Sequence, residues 1–200
     1  MYINIIGLPI SEKAPPIGRH VMDACCSEYL RMNTADALKK RCVITVNYAA
    51  VGRTGECAKT SVDSFTWDYD VRCLCFDWSE TKVSKQKFMN FFPDREYYSM
   101  DVYHALACYF MVGGGTEYAS ISTSSGASVN SQAFLFPYLA GLSSPSTTIN
   151  GYIKELIASK RVLGLPDAAT GTSFRIGGTN VMSISQWVEL HHVIMRGTFI

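Results

Sequence analysis

Apolar residues recur at helical spacing through the first quarter of the chain. Over residues 19–32 they form a single stripe, which predicts a first helix. Thr34 is a suitable N-cap for a second helix, whose apolar side continues to about Val51. A short third helix is expected over residues 53–60. Arg53 is therefore predicted to lie at the junction of two helices.

The pattern changes between residues 64 and 92. Short runs of aromatic and β-branched residues occur at 65–69, 71–78 and 87–92, and polar turns separate them. Such runs are typical of strands, so we expect a small antiparallel sheet. A strongly apolar helix is then predicted over 100–112, and a flexible loop rich in Ser and Gly near 113–132.

The last third of the chain again favours helices. Residues 134–142 form a short apolar segment whose secondary structure the pattern leaves open. Ser144 and Pro145 suit a capping hydroxyl and a first helical residue, so a helix is predicted from there to about Lys160. Two more helices are expected over 173–183 and 184–196. These elements predict an α+β fold, mainly helical, with a small antiparallel sheet.

Length and composition predict one compact domain. The chain has 200 residues, of which 48% are hydrophobic. We interpret residues 1–18 as a lead-in segment and 19–200 as the domain. Neither a signal peptide nor an apolar run of about 18 residues is present, so an intracellular protein without a membrane partner is expected. The seven cysteines are expected to be free thiols, and no His/Cys spacing suits a metal or another cofactor.

Charge alone gives no support for a nucleic-acid partner, because the net charge is only +1. The basic residues that do cluster are interpreted, group by group, as solvated faces. The groups are Lys39, Lys40 and Arg41; Lys82, Lys85 and Lys87; and Lys154, Lys160 and Arg161.

Three segments nevertheless resemble, in order, the motifs of the tyrosine recombinases. Residues 49–56 resemble the family's helix-junction motif, in which Arg53 is followed three positions later by Glu56. Residues 78–85 are similar to the β-hairpin that presents a catalytic lysine. Residues 171–178, which contain Arg175, resemble the His-x-x-Arg box in the form found in cryptons and DIRS-type retroelements. The resemblance covers residues 19–200 and implies the fold of DNA breaking-rejoining enzymes.

The resemblance implies cleavage and rejoining of double-stranded DNA through a phosphotyrosine intermediate, without a cofactor. Arg53 and Arg175 would hold the scissile phosphate, because a guanidinium group matches the geometry of phosphate oxygens. Lys82 would be the general acid, with Lys85 as the alternative, and Glu56 would orient Arg53. A homo-oligomer on DNA is expected, in the nucleus if the source is eukaryotic.

The sequence departs from the family pattern at three places. Thr172 occupies the position of the box histidine and cannot shuttle a proton near neutral pH. The position where His or Trp is usual falls at Thr198 or Phe199, and Phe199 would retain aromatic packing without a hydrogen bond. No tyrosine follows Phe199, so the chain is expected to be a C-terminally truncated recombinase domain that is inactive as a fragment.

Two other functions remain open at this point. One is a non-catalytic DNA-binding remnant that keeps the arginines and has lost the nucleophile. The other is a protein-interaction domain that uses the same fold, which the nearly neutral net charge favours. The recombinase interpretation requires Arg53, Lys82 and Arg175 to converge in one cleft.

Overall fold

The computed structural model describes residues 14–77, 88–114 and 134–184. Within these ranges the protein is mainly helical with one three-stranded sheet, as expected for the α+β class. The strands are β1 (Phe65–Asp68), β2 (Cys73–Asp77) and β3 (Phe88–Phe91). The helices are α1 (Arg19–Met32), α2 (Ala35–Ala49), α3 (Thr54–Ala58), α4 (Val102–Tyr109), α5 (Pro137–Ala140), α6 (Pro145–Ser159) and α7 (Gly171–Ile184).

Helices α1 to α3 confirm the order predicted from periodicity. Helix α1 has the predicted bounds, and α2 begins after Thr34, whose Oγ1 accepts a hydrogen bond from the Ala37 N–H at 3.1 Å. Helix α2 ends at Ala49, because the next turn places Val51 in the left-handed region at φ 51°. The chain then turns through Gly52 into α3.

The sheet confirms the predicted antiparallel arrangement. Phe65 of β1 pairs with Phe76 of β2, and Phe76 pairs in turn with Met89 of β3. The rings of Phe65, Phe76 and Phe91 stack on one another at centroid distances of 4.6 to 6.5 Å. This aromatic face packs into the core that lies on one side of α2.

Helix α4 is shorter than the predicted span of 100–112. Asp101 caps it by accepting a hydrogen bond from the His104 N–H at 2.7 Å, so the regular helix starts two residues late. It continues into a π-helical turn over Phe110–Gly114, where Gly113 adopts φ 91° and breaks the helix. Most of the loop predicted near 113–132 lies outside the described residues.

The segment left open at 134–142 contains the short helix α5. Helix α6 confirms the predicted start at Pro145, but the expected capping bond is wrong in detail. The Ser144 hydroxyl pairs with the Thr147 hydroxyl at 2.8 Å, and its side chain makes no capping bond to the helix backbone.

Helix α7 begins at Gly171, two residues before its predicted start, and ends at Ile184. The rest of the helix predicted over 184–196 lies outside the described residues. Part of the expected lead-in packs against α7. Ile17 is fully buried, and its N–H donates to the Ser173 carbonyl oxygen at 3.2 Å. Among the described helices, none has the length and apolar composition needed to cross a membrane.

Candidate functional site

Arg53 is the N-cap residue of α3, as its position between two predicted helices indicated. Its backbone N–H donates to Glu56 Oε2 at 3.3 Å, and its Nη1 lies 3.6 Å from Glu56 Oε1. The predicted pairing of Arg53 with Glu56 is therefore confirmed. The Arg53 side chain is 35% exposed and the Glu56 side chain 14%. The more buried carboxylate of Glu56 therefore orients the Arg53 guanidinium group, which still contacts solvent.

Arg175 lies in the second turn of α7, and three glycines of that helix set its position. An added Cβ would lie 2.1 Å from Thr54 Cγ2 at Gly171, 1.9 Å from the Ile17 carbonyl oxygen at Gly177, and 2.5 Å from the Tyr48 carbonyl oxygen at Gly178. Real Cβ atoms do not approach so closely, so α7 packs at backbone contact distance.

The α7 contacts bring Arg175 beside the Arg53–Glu56 pair. Burial lowers the pKa of Arg175, the positive charge of Arg53 lowers it further, and the negative charge of Glu56 acts in the opposite direction. The two arginines, 122 positions apart in sequence, thus lie within range of direct charge–charge interaction.

Hydrogen bonds between elements fix the surroundings of this group. Thr54 Oγ1 donates to Ser146 Oγ at 2.8 Å and so joins α3 to the start of α6. The Gly171 N–H donates to Asn150 Oδ1 at 2.8 Å, and Asn47 Nδ2 contacts the Gly171 carbonyl oxygen at 3.5 Å. The beginnings of α3, α6 and α7 therefore meet next to Arg53 and Arg175.

The remaining predicted site residues divide into two groups. Thr172 is exposed in the first turn of α7, three residues before Arg175 and hence on the same side of the helix. Lys82, Lys85 and Phe199 lie outside the described residues, so the convergence of Lys82 with the arginines stays a prediction.

The structure contradicts the sequence interpretation of Arg41. The sequence predicts a solvated basic face for Lys39, Lys40 and Arg41, but the Arg41 side chain is fully buried. Its Nε donates to the Ser99 carbonyl oxygen at 2.6 Å and its Nη2 to His104 Nδ1 at 2.9 Å. Helical spacing carried the missed signal, because residues 37, 41, 44 and 48 occupy one face of α2.

We expect the Arg41–His104 contact to make stability depend on pH. Burial and then the charge of Arg41 lower the pKa of His104 below its ordinary value of 6.5. The unfolded chain therefore takes up a proton more readily, and the free energy of unfolding should fall as the pH drops below about 6.5. Denaturant unfolding between about pH 5 and about pH 7.5 measures this slope.

The matched variant for this measurement is His104→Gln, which should flatten the slope in that interval. Glu28 does not contribute to this slope. The hydrogen-bonded Arg31 lowers the pKa of the Glu28 carboxylate to about 2, so its effect on the free energy of unfolding appears only at more acidic pH than the measured interval. A wild-type slope that persists unchanged in His104→Gln would contradict the assignment to His104.

The seven cysteines are free thiols, as expected. Within the described ranges, no group of three or more His, Cys, Asp or Glu side chains is placed to hold a metal ion.

Two comparisons with known proteins give no relative for this chain. The chain matches no model of a protein family. A search among characterised proteins also finds no match. The functional argument therefore depends on the residues of the site.

Proposed function

We propose that this chain is a tyrosine recombinase-like domain that binds double-stranded DNA, with one backbone phosphate held by Arg53 and Arg175. The observation that supports the proposal is the approach of these two arginines around Glu56. Buried or half-buried arginines repel each other, and an anion between them removes that repulsion. A phosphodiester is the anion that two guanidinium groups hold best, because their donors match its paired oxygens.

The charge of the group matches this ligand. Two arginines and one glutamate carry one net positive charge, and a phosphodiester carries one negative charge. Thr172 adds an exposed hydroxyl on the same side of α7, in a first turn whose dipole favours anions.

The proposed chemistry is DNA strand cleavage and rejoining. Arg53 and Arg175 would stabilise the charge that develops on the phosphate oxygens during attack by a tyrosine. No tyrosine stands at the matching position of this sequence, so DNA binding rather than cleavage is the activity proposed for residues 1–200. Lys82 would give a proton to the leaving oxygen, and Glu56 would hold Arg53 in place. Thr172 could donate a hydrogen bond to the phosphate but would not act as a base.

Fluorescence anisotropy with a labelled DNA duplex tests the binding part of this proposal. Arg53→Gln and Arg175→Gln are each expected to weaken binding by about tenfold and to lower the slope of log affinity against log salt by about one. The control is Arg161→Gln, which makes the same charge change near the far end of α6. That helix has 15 residues, so its far end lies roughly 22 Å from Ser146.

Equal losses in all three variants would mean that only total charge matters, and would contradict a phosphate site at Arg53 and Arg175. Glu56→Gln gives a second test. It adds one net positive charge, so an unspecific basic surface would bind DNA more tightly after the change. If Glu56 orients Arg53, the same change weakens binding.

A further inference from the structure

A second group of chemically active side chains lies apart from the arginine site, where α2 meets α4. It consists of Arg41, His104 and Cys108, joined in series. Arg41 Nη2 lies 2.9 Å from His104 Nδ1, and His104 Nε2 lies 3.4 Å from Cys108 Sγ. Among the described residues Arg41 has no carboxylate partner, and its buried Nη1 atom makes no hydrogen bond. A buried cation in this position favours negative charge nearby.

The contact with Arg41 fixes the protonation of His104. A guanidinium group can only donate hydrogen bonds, so Nδ1 must be the acceptor and carries no proton. The neutral ring therefore has its proton on Nε2, which faces Cys108 Sγ. Burial and the Arg41 charge lower the pKa of the ring, which keeps it neutral near pH 7. Cys108 thus receives a hydrogen bond from a donor that Arg41 polarises.

The other cysteines differ in their surroundings. Burial raises the pKa of five of them and keeps them as thiols: Cys25, Cys26, Cys42, Cys57 and Cys73. Only Cys75 and Cys108 are partly exposed. The sulfur of Cys75 lies 3.9 Å from that of Cys73, and among the described residues neither sulfur accepts a hydrogen bond from a nitrogen.

From this difference we propose that Cys108 is a covalent modification site, whose sulfur accepts a hydrogen bond from His104 and reacts with soft electrophiles and hydroperoxides. With hydrogen peroxide, the sulfur loses its proton to solvent and forms an S–O bond as the O–O bond breaks, and hydroxide leaves. With an alkyl hydroperoxide, the alkoxide leaves instead. Sulfur is oxidised to sulfenic acid and the peroxide is reduced.

Cys108 lies in the last turn of α4, whose dipole disfavours an anion, but a direct hydrogen bond is the stronger effect. The Tyr98 ring, 60% exposed, contacts the His104 ring at a centroid distance of 4.1 Å and a tilt of 33°, which places the group near the surface.

Timed labelling of the full chain with iodoacetamide tests this site, with peptide mass spectrometry measuring each cysteine separately. The sulfur displaces iodide and forms an S–C bond, and the thiol proton goes to solvent. Cys108 is expected to react about tenfold faster than Cys75, the ratio that one charge-assisted hydrogen bond supports. Reaction of Cys108 at the rate of Cys75 or below would overturn the proposal.

The variant His104→Phe keeps a ring against Tyr98 and removes both nitrogens. It should slow Cys108 to the rate of Cys75 while circular dichroism stays unchanged, and an unchanged Cys108 rate would overturn the role of His104. If this variant does not fold, the ¹⁵N spectrum of His104 in the wild-type protein decides the point. A proton on Nε2 supports the proposal, and a proton on Nδ1 contradicts it.

Discussion

Replacing Gly178 with alanine is expected to lower the free energy of unfolding by about 2 kcal/mol. Alanine by itself favours a helix over glycine by about 1 kcal/mol. At this position its Cβ would lie 2.5 Å from the Tyr48 carbonyl oxygen and 3.3 Å from Val51 Cγ2. A backbone carbonyl cannot rotate away as a side chain can, so α7 must move off α2, and the packing loss exceeds the helix gain.

The control for this change is Gly151→Ala, in the middle of α6. Gly151 is exposed and an added Cβ there meets nothing within 4 Å, so this variant should gain about 0.5–1 kcal/mol of stability. Denaturant unfolding of both variants gives the comparison. Equal effects of the two changes would mean that α7 does not pack against α2 at backbone distance.

Because Gly178 is one turn after Arg175, we also expect Gly178→Ala to weaken DNA binding if the proposed phosphate site is correct.

Removing Arg41 is expected to have the largest effect on stability. Arg41→Ala should lower the free energy of unfolding by about 3 kcal/mol, because it leaves a cavity and deprives the Ser99 carbonyl oxygen and His104 Nδ1 of their donor. Removing the buried charge is itself stabilising, because the charge no longer has to be buried without a carboxylate partner. The net loss in the free energy of unfolding is therefore smaller than the sum of the cavity and hydrogen-bond losses. Urea denaturation at neutral pH measures the change.

Two further variants separate the causes. Arg41→Met restores most of the volume and carries no charge, so it should cost less than Arg41→Ala. Arg95→Ala removes an exposed arginine and should stay within about 0.5 kcal/mol of wild type. If Arg41→Ala proved as harmless as Arg95→Ala, the buried position of Arg41 would be wrong.

Local patterns were sufficient where an element is stabilised by its own residues. The apolar stripe of residues 19–32 and the Thr34 cap both correspond to the observed helices. The pairing of Arg53 with Glu56 is likewise local, since the two residues are three positions apart at a helix start. The strands were also predictable, because short runs of aromatic and β-branched residues are typical of strands.

Arg41 shows why charge patterns failed. Three basic residues in a row suggested exposure, but on a helix neighbouring residues point in different directions. Lys40 reaches the Asp36 and Glu155 carboxylates at 2.6 Å, whereas Arg41 points between α1, α2 and α4 into the protein. The acceptors that make its burial tolerable are the Ser99 carbonyl oxygen and the His104 ring, which are distant in sequence and carry no pattern of their own.

The sequence by itself determined helices α1 to α3, the antiparallel sheet and the local partner of Arg53, because each depends on residues that lie close together in sequence. Only the tertiary structure decided that Arg175 lies beside Arg53 and that Arg41 is buried against His104. The proximity of the arginines follows from Gly177 and Gly178, which let α7 approach other backbones, and from Gly171, which leaves room for the Thr54 side chain. These are properties of packing between distant segments. Periodicity specifies which face of an element is buried, but it does not specify which element packs against it.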